Sequence, residues 1–137
     1  MKVLCFYTTN FSYTPAVKNL EAVDDHYQGA SFSETIVAFI HIEESDEASD
    51  VTSREKKLTN HLKWVARKNN TQNIVLHSFA HLATTKASAG FTLNVFNATQ
   101  QRLENGGYLV AQTPFGYFLD LKMEAPGFSM ARIWAEL

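Results

Sequence analysis

The chain has 137 residues, 45% of them hydrophobic, with ten Phe but only six Gly and three Pro. That is the make-up of one domain, residues 1–137, able to bury a core without disulfides or metal, and it excludes a linker-rich or low-complexity chain. A net charge of −2 excludes a global attraction to nucleic acid or membrane, though not a local basic patch.

Residues 2–8 (KVLCFYT) are rich in β-formers and predict a first strand. Residues 10–28, with Pro15 and the acidic pair Asp24-Asp25, read as a loop with a short helix near 17–22. Residues 34–44 form a second strand, whose near-continuous apolar run predicts burial on both faces. Residues 43–50 (EESDEASD) are an acidic turn. A helix follows, opened by a Thr52-Ser-Arg-Glu55 capping box. Leu58, Leu62 and Val65 form its core stripe, with Lys56, Asn60, Lys63 and Arg67 opposite. It fades at Lys68-Asn69-Asn70, where cations suit the helix dipole and Asn suits a left-handed residue.

Residues 73–79 predict a third strand within IVLHSFAHL (74–82). The strand ends at Phe79, Ala80 and His81, a way to present a titratable group on a rigid support. A second helix is predicted over 85–104. Ala87, Phe91, Val95 and Ala98 form its main stripe, and Leu93, Phe96 and Leu103 add more apolar surface than a helix with one wet face needs. Gly106-Gly107 ends it. Residues 108–113 are a fourth strand, and Pro114-Phe-Gly is consistent with a hairpin or a bent strand. In the fifth strand, 117–124, Tyr117, Leu119, Leu121 and Met123 share one face. The type of the last element, 128–137, is left open. The order ββαβαββ predicts an α/β domain, a mixed β-sheet with two long helices packed on it.

The residue pattern points to no metal or cofactor. His41 and Glu43 share a strand face, as His77 and His81 would, but no ligand motif accompanies them. Ser78 lacks a G-x-S-x-G elbow. The Gly pair at 106–107 lies at the wrong end of a helix for an anion. Cys5, the single cysteine, lies in the apolar segment 3–6 and reads as a small buried hydrophobe. Lys56, Lys63 and Arg67 form a basic stripe beside Trp64 that would permit contact with a phosphate backbone, although an exposed helix face is usually just solvated. No apolar run reaches the ~18 residues of a membrane span, and no secretory leader is visible, so a cytoplasmic protein without membrane contact is expected.

Three segments resemble, in order and spacing, the editing domain of archaeal-type threonyl-tRNA synthetases, a relative of the D-aminoacyl-tRNA deacylases. They are Val37-Ala-Phe-Ile40 with Glu43 and Asp46-Glu47, then Phe79-Ala-His-Leu82, then Pro114-Phe-Gly-Tyr117. The resemblance implies a D-aminoacyl-tRNA-deacylase-like fold and a homodimer. It implies hydrolysis of the ester that joins serine to the 3′-terminal adenosine of threonine tRNA, with mischarged tRNA and a threonyl-tRNA synthetase as partners. By position, it makes His81 the catalytic residue, lining the aminoacyl pocket with Ala80 and Phe79. Ile42 and Phe115 would hold the adenosine, with Gly116 and Tyr117 at the start of the pocket strand. In this family the substrate's own ribose hydroxyl is thought to help activate water, so the side chains mainly orient.

The chain departs from the family at Leu119, where a lysine is typical, at Arg132, near a glutamate's place, and at Tyr7, in place of histidine. Strand parity puts Lys122 on the wrong face to replace the lysine. Beside the editing hydrolase there stand a non-catalytic binding module of the same fold for tRNA ends or aminoacyl-adenosine, and a D-aminoacyl-tRNA deacylase.

Overall fold

In the computed structural model, which describes residues 1–26 and 28–137, the first strand β1 runs over Lys2–Lys18. It is more than twice the expected length. Residues 10–18, expected as loop, are strand because Phe11 and Tyr13 alternate with Ser12 and Thr14 and find partners on both sides. One edge of β1 pairs antiparallel with β2 (Ala30–His41). Its other edge is shared by two strands: β6 (Arg132–Glu136) on residues 2–6 and β5 (Tyr117–Glu124) on residues 10–18. Pro15, the residue that suggested a loop, sits next to a bulge between Pro15 and Val17, where a missing N–H is tolerated. No helix forms at 17–22, and Tyr27 lies outside the described residues. The last segment, left open from sequence, is a 3₁₀ turn at Ser129–Ala131 followed by β6.

β2 starts four residues earlier than expected, and near its middle the inward face changes. Thr9 and Glu34 are skipped in the β1–β2 register, and Glu34 takes a φ of 48°. Beyond that point, Val3, Cys5, Ile36, Ala38 and Ile40 pack under the helices. Phe11 instead joins Val37, Phe39 and Val75 on the opposite face. Simple alternation cannot reveal such a switch, because it assumes one face throughout.

Helix α1 (Val51–Lys68) buries Leu58, Leu62 and Val65 as its spacing predicts. Asn70, at φ 52°, supplies the left-handed residue after its end. Its cap differs from the expected box. Asp50 accepts from the Ser53 amide, so the helix is capped two residues earlier than Thr52 would cap it. Glu55 is buried instead against helix α2 (Ala89–Asn105), where the Arg102 guanidinium donates to both of its oxygens at 2.8 Å. α2 is also capped later than expected, by Ser88 accepting from the Phe91 amide. Phe96 and Leu103 do not form surplus surface: both are buried with Val95 against α1 and the sheet. Leu93, the third residue of the apolar excess, stays half-buried.

The acidic turn after β2 is a 3₁₀ turn, Glu44–Ala48. Asp46, only 3% exposed, accepts from Arg54 Nη1 at 2.8 Å and from the Glu43 amide at 2.7 Å, and pairs with the Met1 ammonium at 3.0 Å. Burial alone would raise its carboxyl, but these donors hold it below the ordinary value. Glu43, bonded first to Lys2 and then to the Met1 ammonium, is held down at about 2.

The sheet order is β4-β3-β2-β1-β5, with β3 (Asn73–Ser78) and β4 (Leu109–Gln112) parallel to β2. β4 and β5 therefore lie on opposite edges, and residues 113–116 make a crossover rather than the hairpin or bent strand the Pro-Phe-Gly corner suggested. A flat sheet would hold those edges about 19 Å apart, while the link spans at most about 18 Å even fully extended. This link also turns, with Gly116 at φ 82°. The sheet must curl until its edges approach, and the curl encloses the site.

Candidate functional site

Three parallel strands, β2, β3 and β4, end side by side, the position at which open α/β sheets leave a crevice. A cleft of about 640 Å³ opens there. Its walls are the end of β2 (Ile40, His41, Ile42), the end of β3 and the turn after it (residues 77–81), the approach and first turn of α2 (residues 86–89 and Thr92), and the crossover into β5 (residues 114–119 and Leu121). Asn19 and Leu20 close one side, where the Asn19 amide donates to Gly116 O at 2.8 Å. A Cβ at Gly116 would meet Val23 and Leu20 carbons at 3.0–3.1 Å, so glycine permits both the turn and the close approach.

All seven residues singled out from sequence, Ile42, Phe79, Ala80, His81, Phe115, Gly116 and Tyr117, line this one cleft. They come from three separate stretches, and the curl brings them together. Phe79 is half core: its ring meets Phe39 edge-on at 5.2 Å between centroids and His81 at 4.9 Å. Tyr117 lines the cleft with its ring, while its hydroxyl accepts from the His26 amide at 2.9 Å and donates to Asp24 O. Leu119 reaches the cleft, as strand parity requires. Arg132 is exposed, and its guanidinium donates to Pro126 O at 2.7 Å.

Three histidines line the cleft in different states. His77 is buried and shares a 2.8 Å hydrogen bond with the Thr113 hydroxyl; desolvation pushes it down to about 4, so it is neutral at physiological pH. His41 is 2% exposed and both ring nitrogens are engaged: Nδ1 accepts from the Leu82 amide at 3.0 Å and Nε2 donates to Thr85 O at 2.6 Å. His81 stands exposed after β3, ring against Phe79. His41 and His77 were weighed from sequence only as metal ligands. Among the described residues, no group of three or more His, Cys, Asp or Glu side chains is placed to hold an ion. Lys86 also lines the cleft and is the single Lys or Arg among its lining residues. Nothing in the sequence marks Lys86 except its place between His81 and the start of α2. A cleft with aromatic and aliphatic walls, one histidine without a structural hydrogen bond and one lysine suits a ligand that stacks through a flat ring and presents a polar end.

Residues 1–137 match the family model described as the archaea-specific editing domain of threonyl-tRNA synthetase. Threonine–tRNA ligase of Thermococcus onnurineus is 27% identical over 136 residues, 97% of this chain and 22% of the relative. That of Pyrococcus furiosus gives the same figures, and that of Thermococcus gammatolerans is 29% identical over 118 residues, 86% of this chain and 19% of the relative. The chain thus spans about a fifth of the length of these curated relatives. Among solved structures, the c-Myc DNA Unwinding Element Binding Protein aligns over 100% of this chain and 99% of its own, with a TM-score of 0.67 and 16% identity. That likeness shows the fold, a mixed α/β domain with two helices on the sheet, the class expected from the sequence. No helix among the described residues is long and apolar enough to cross a membrane.

Proposed function

We propose, from the premise that this chain belongs to the family of archaea-specific editing domains of threonyl-tRNA synthetase, that it hydrolyses the ester of tRNA carrying the wrong amino acid. The substrate is seryl-tRNA for threonine, taken in trans where synthetase and editing domain are separate chains. Serine lacks only a methyl group relative to threonine, and a methyl discriminates by roughly 1–3 kcal/mol, so a second, hydrolytic selection is worth having. One observation carries this reading: the Ile42, Phe79–His81 and Phe115–Tyr117 segments converge on a single cleft.

In this reading Phe115, Gly116 and Ile42 hold the terminal adenosine, and Tyr117 offers its ring. Ala80, beside Phe79, leaves room for the small serine side chain. His81 orients the attacking water or the ribose hydroxyl; the water adds to the ester carbonyl, and the ribose oxygen leaves with a proton. Backbone amides of the turn after β3 stabilise the oxyanion. A cytoplasmic homodimer working beside the synthetase belongs to the same reading.

A second reading, recognition of the tRNA end without efficient hydrolysis, is favoured by Leu119, which gives the cleft an aliphatic group where the family has an amine, and by Arg132, engaged with Pro126 O. One assay separates the readings. Purified protein is incubated with seryl-tRNA for threonine and with D-aminoacyl-tRNAs, and loss of the ester is followed against buffer. Faster loss of serine in the wild type, reduced at least about tenfold in His81→Ala, is the expected result. Loss of only D-aminoacyl groups would reassign the substrate, and no acceleration for any substrate would leave the binding reading.

A further inference from the structure

We propose that His41 is the positioning residue that fixes the backbone around His81 and Lys86, the exposed histidine and the one lysine that line the cleft. The kinetic part of this proposal rests on the editing reading; the structural part does not.

After β3 the chain leaves the sheet and returns to begin α2. Two backbone bonds mark the departure and return: Phe79 N–H to Ile40 O at 3.0 Å, and Ala87 N–H to Ile42 O at 2.9 Å. The residues between form no helix or strand, so their backbone groups need partners from elsewhere. His41 lies between Ile40 and Ile42, and its ring supplies two partners from inside the excursion. Nδ1 accepts from the Leu82 amide, next to His81, and Nε2 donates to the Thr85 carbonyl, next to Lys86. Glu44 N–H adds a bond to the Thr85 hydroxyl at 3.3 Å. Each cleft residue is therefore one peptide away from an atom held by the same imidazole.

The two bonds require one tautomer. An amide can only donate and a carbonyl can only accept, so Nδ1 must be bare and Nε2 must carry the proton. Burial at 2% exposure keeps water from replacing either partner. A leucine at 41 would fill similar space and supply neither bond. An asparagine could accept from Leu82 through its oxygen but would not reach Thr85 in the same way. The turn would then hold His81 less closely, and misplacement of a reacting group by about 1 Å can cost up to about 100-fold in rate.

The test combines nitrogen-15 NMR with kinetics. In the wild type, His41 should show a bare Nδ1 and a protonated Nε2. In His41→Leu, the Leu82 amide should exchange with solvent at least about tenfold faster and the His81 ring signals should move. The kcat for seryl-tRNA should fall about tenfold or more, with KM within about threefold. His41→Asn should recover Leu82 protection and part of kcat. The opposite tautomer in the wild type overturns the proposal without any variant having to fold. So does a folded His41→Leu with unchanged Leu82 exchange and His81 signals, or with unchanged kcat. A wild type inactive on every aminoacyl-tRNA removes the editing reading instead, and the clamp is then decided by the tautomer, the exchange rate and the His81 signals.

Discussion

Position 119 carries an isobutyl group into the cleft; under the proposed hydrolysis, a lysine there would bring an amine toward the developing oxyanion. Stabilising that charge with a fixed cation is commonly the largest contribution a site makes. Leu119→Lys is expected to raise seryl-tRNA deacylation about tenfold or more, measured in single turnover; an unchanged rate would mean that Lys86 already supplies the charge or that hydrolysis needs none. At this scale the sequence was informative about identity and less so about state. His81 is visible at the end of an apolar strand, whereas Ile42 and Phe115 are marked only by the resemblance to the editing-domain family. That His41 is a clamp and His77 a neutral, buried group was not visible. Those properties come from Leu82, Thr85 and Thr113, which are remote in sequence or unremarkable in pattern.

The elements were legible wherever one period ruled. Leu58, Leu62 and Val65 read as one helix face, and the Tyr117–Glu124 strand was found at its observed bounds. The second half of β1 was missed because Pro15 normally ends a strand, and only the bulge beside it and pairing on both edges make it tolerable. Glu55 fits the capping-box motif, yet Arg102 on the other helix holds it more strongly than an exposed amide would. Likewise the Pro-Phe-Gly corner looks local and is in fact a crossover between sheet edges. Gly116 is its weak point. With φ at 82° and neighbouring carbons at 3.0–3.1 Å from a new Cβ, Gly116→Ala should destabilise by about 1–3 kcal/mol in urea unfolding. It should also weaken ligand binding. Gly127→Ala, which meets nothing within 4 Å, is the control expected to change little.

The whole molecule is a curled sheet with two helices on one face and a cleft inside the curl, and its stability should report the buried groups through pH. His77 stays neutral in the fold down to about 4, whereas the unfolded chain takes up its proton near 6.5. The unfolded state therefore binds more protons between those values, and stability must fall as the pH drops from about 6.5 to 4, by an amount on the order of 3 kcal/mol. Glu43 is held down at about 2, so its contribution, present above about 4.5, is lost as the pH falls from there toward 2. Urea midpoints across pH should show both losses, and His77→Gln should remove the first alone; a wild-type midpoint flat from 6.5 to 4 would contradict the burial of His77. Curl and cleft could not be read from local patterns, since both follow from a five-strand order that is closed by a four-residue link. The central claim, that this cleft receives the aminoacyl end of tRNA, is tested most directly by titrating a non-hydrolysable seryl-adenosine, amide-linked at the 3′ position, and following backbone and ring signals. Saturable shifts are expected at Ile42, His81 and residues 115–117. Saturation with those signals unmoved, or with shifts confined to the groove lined by Phe32, Asn73 and Ala111, would contradict it.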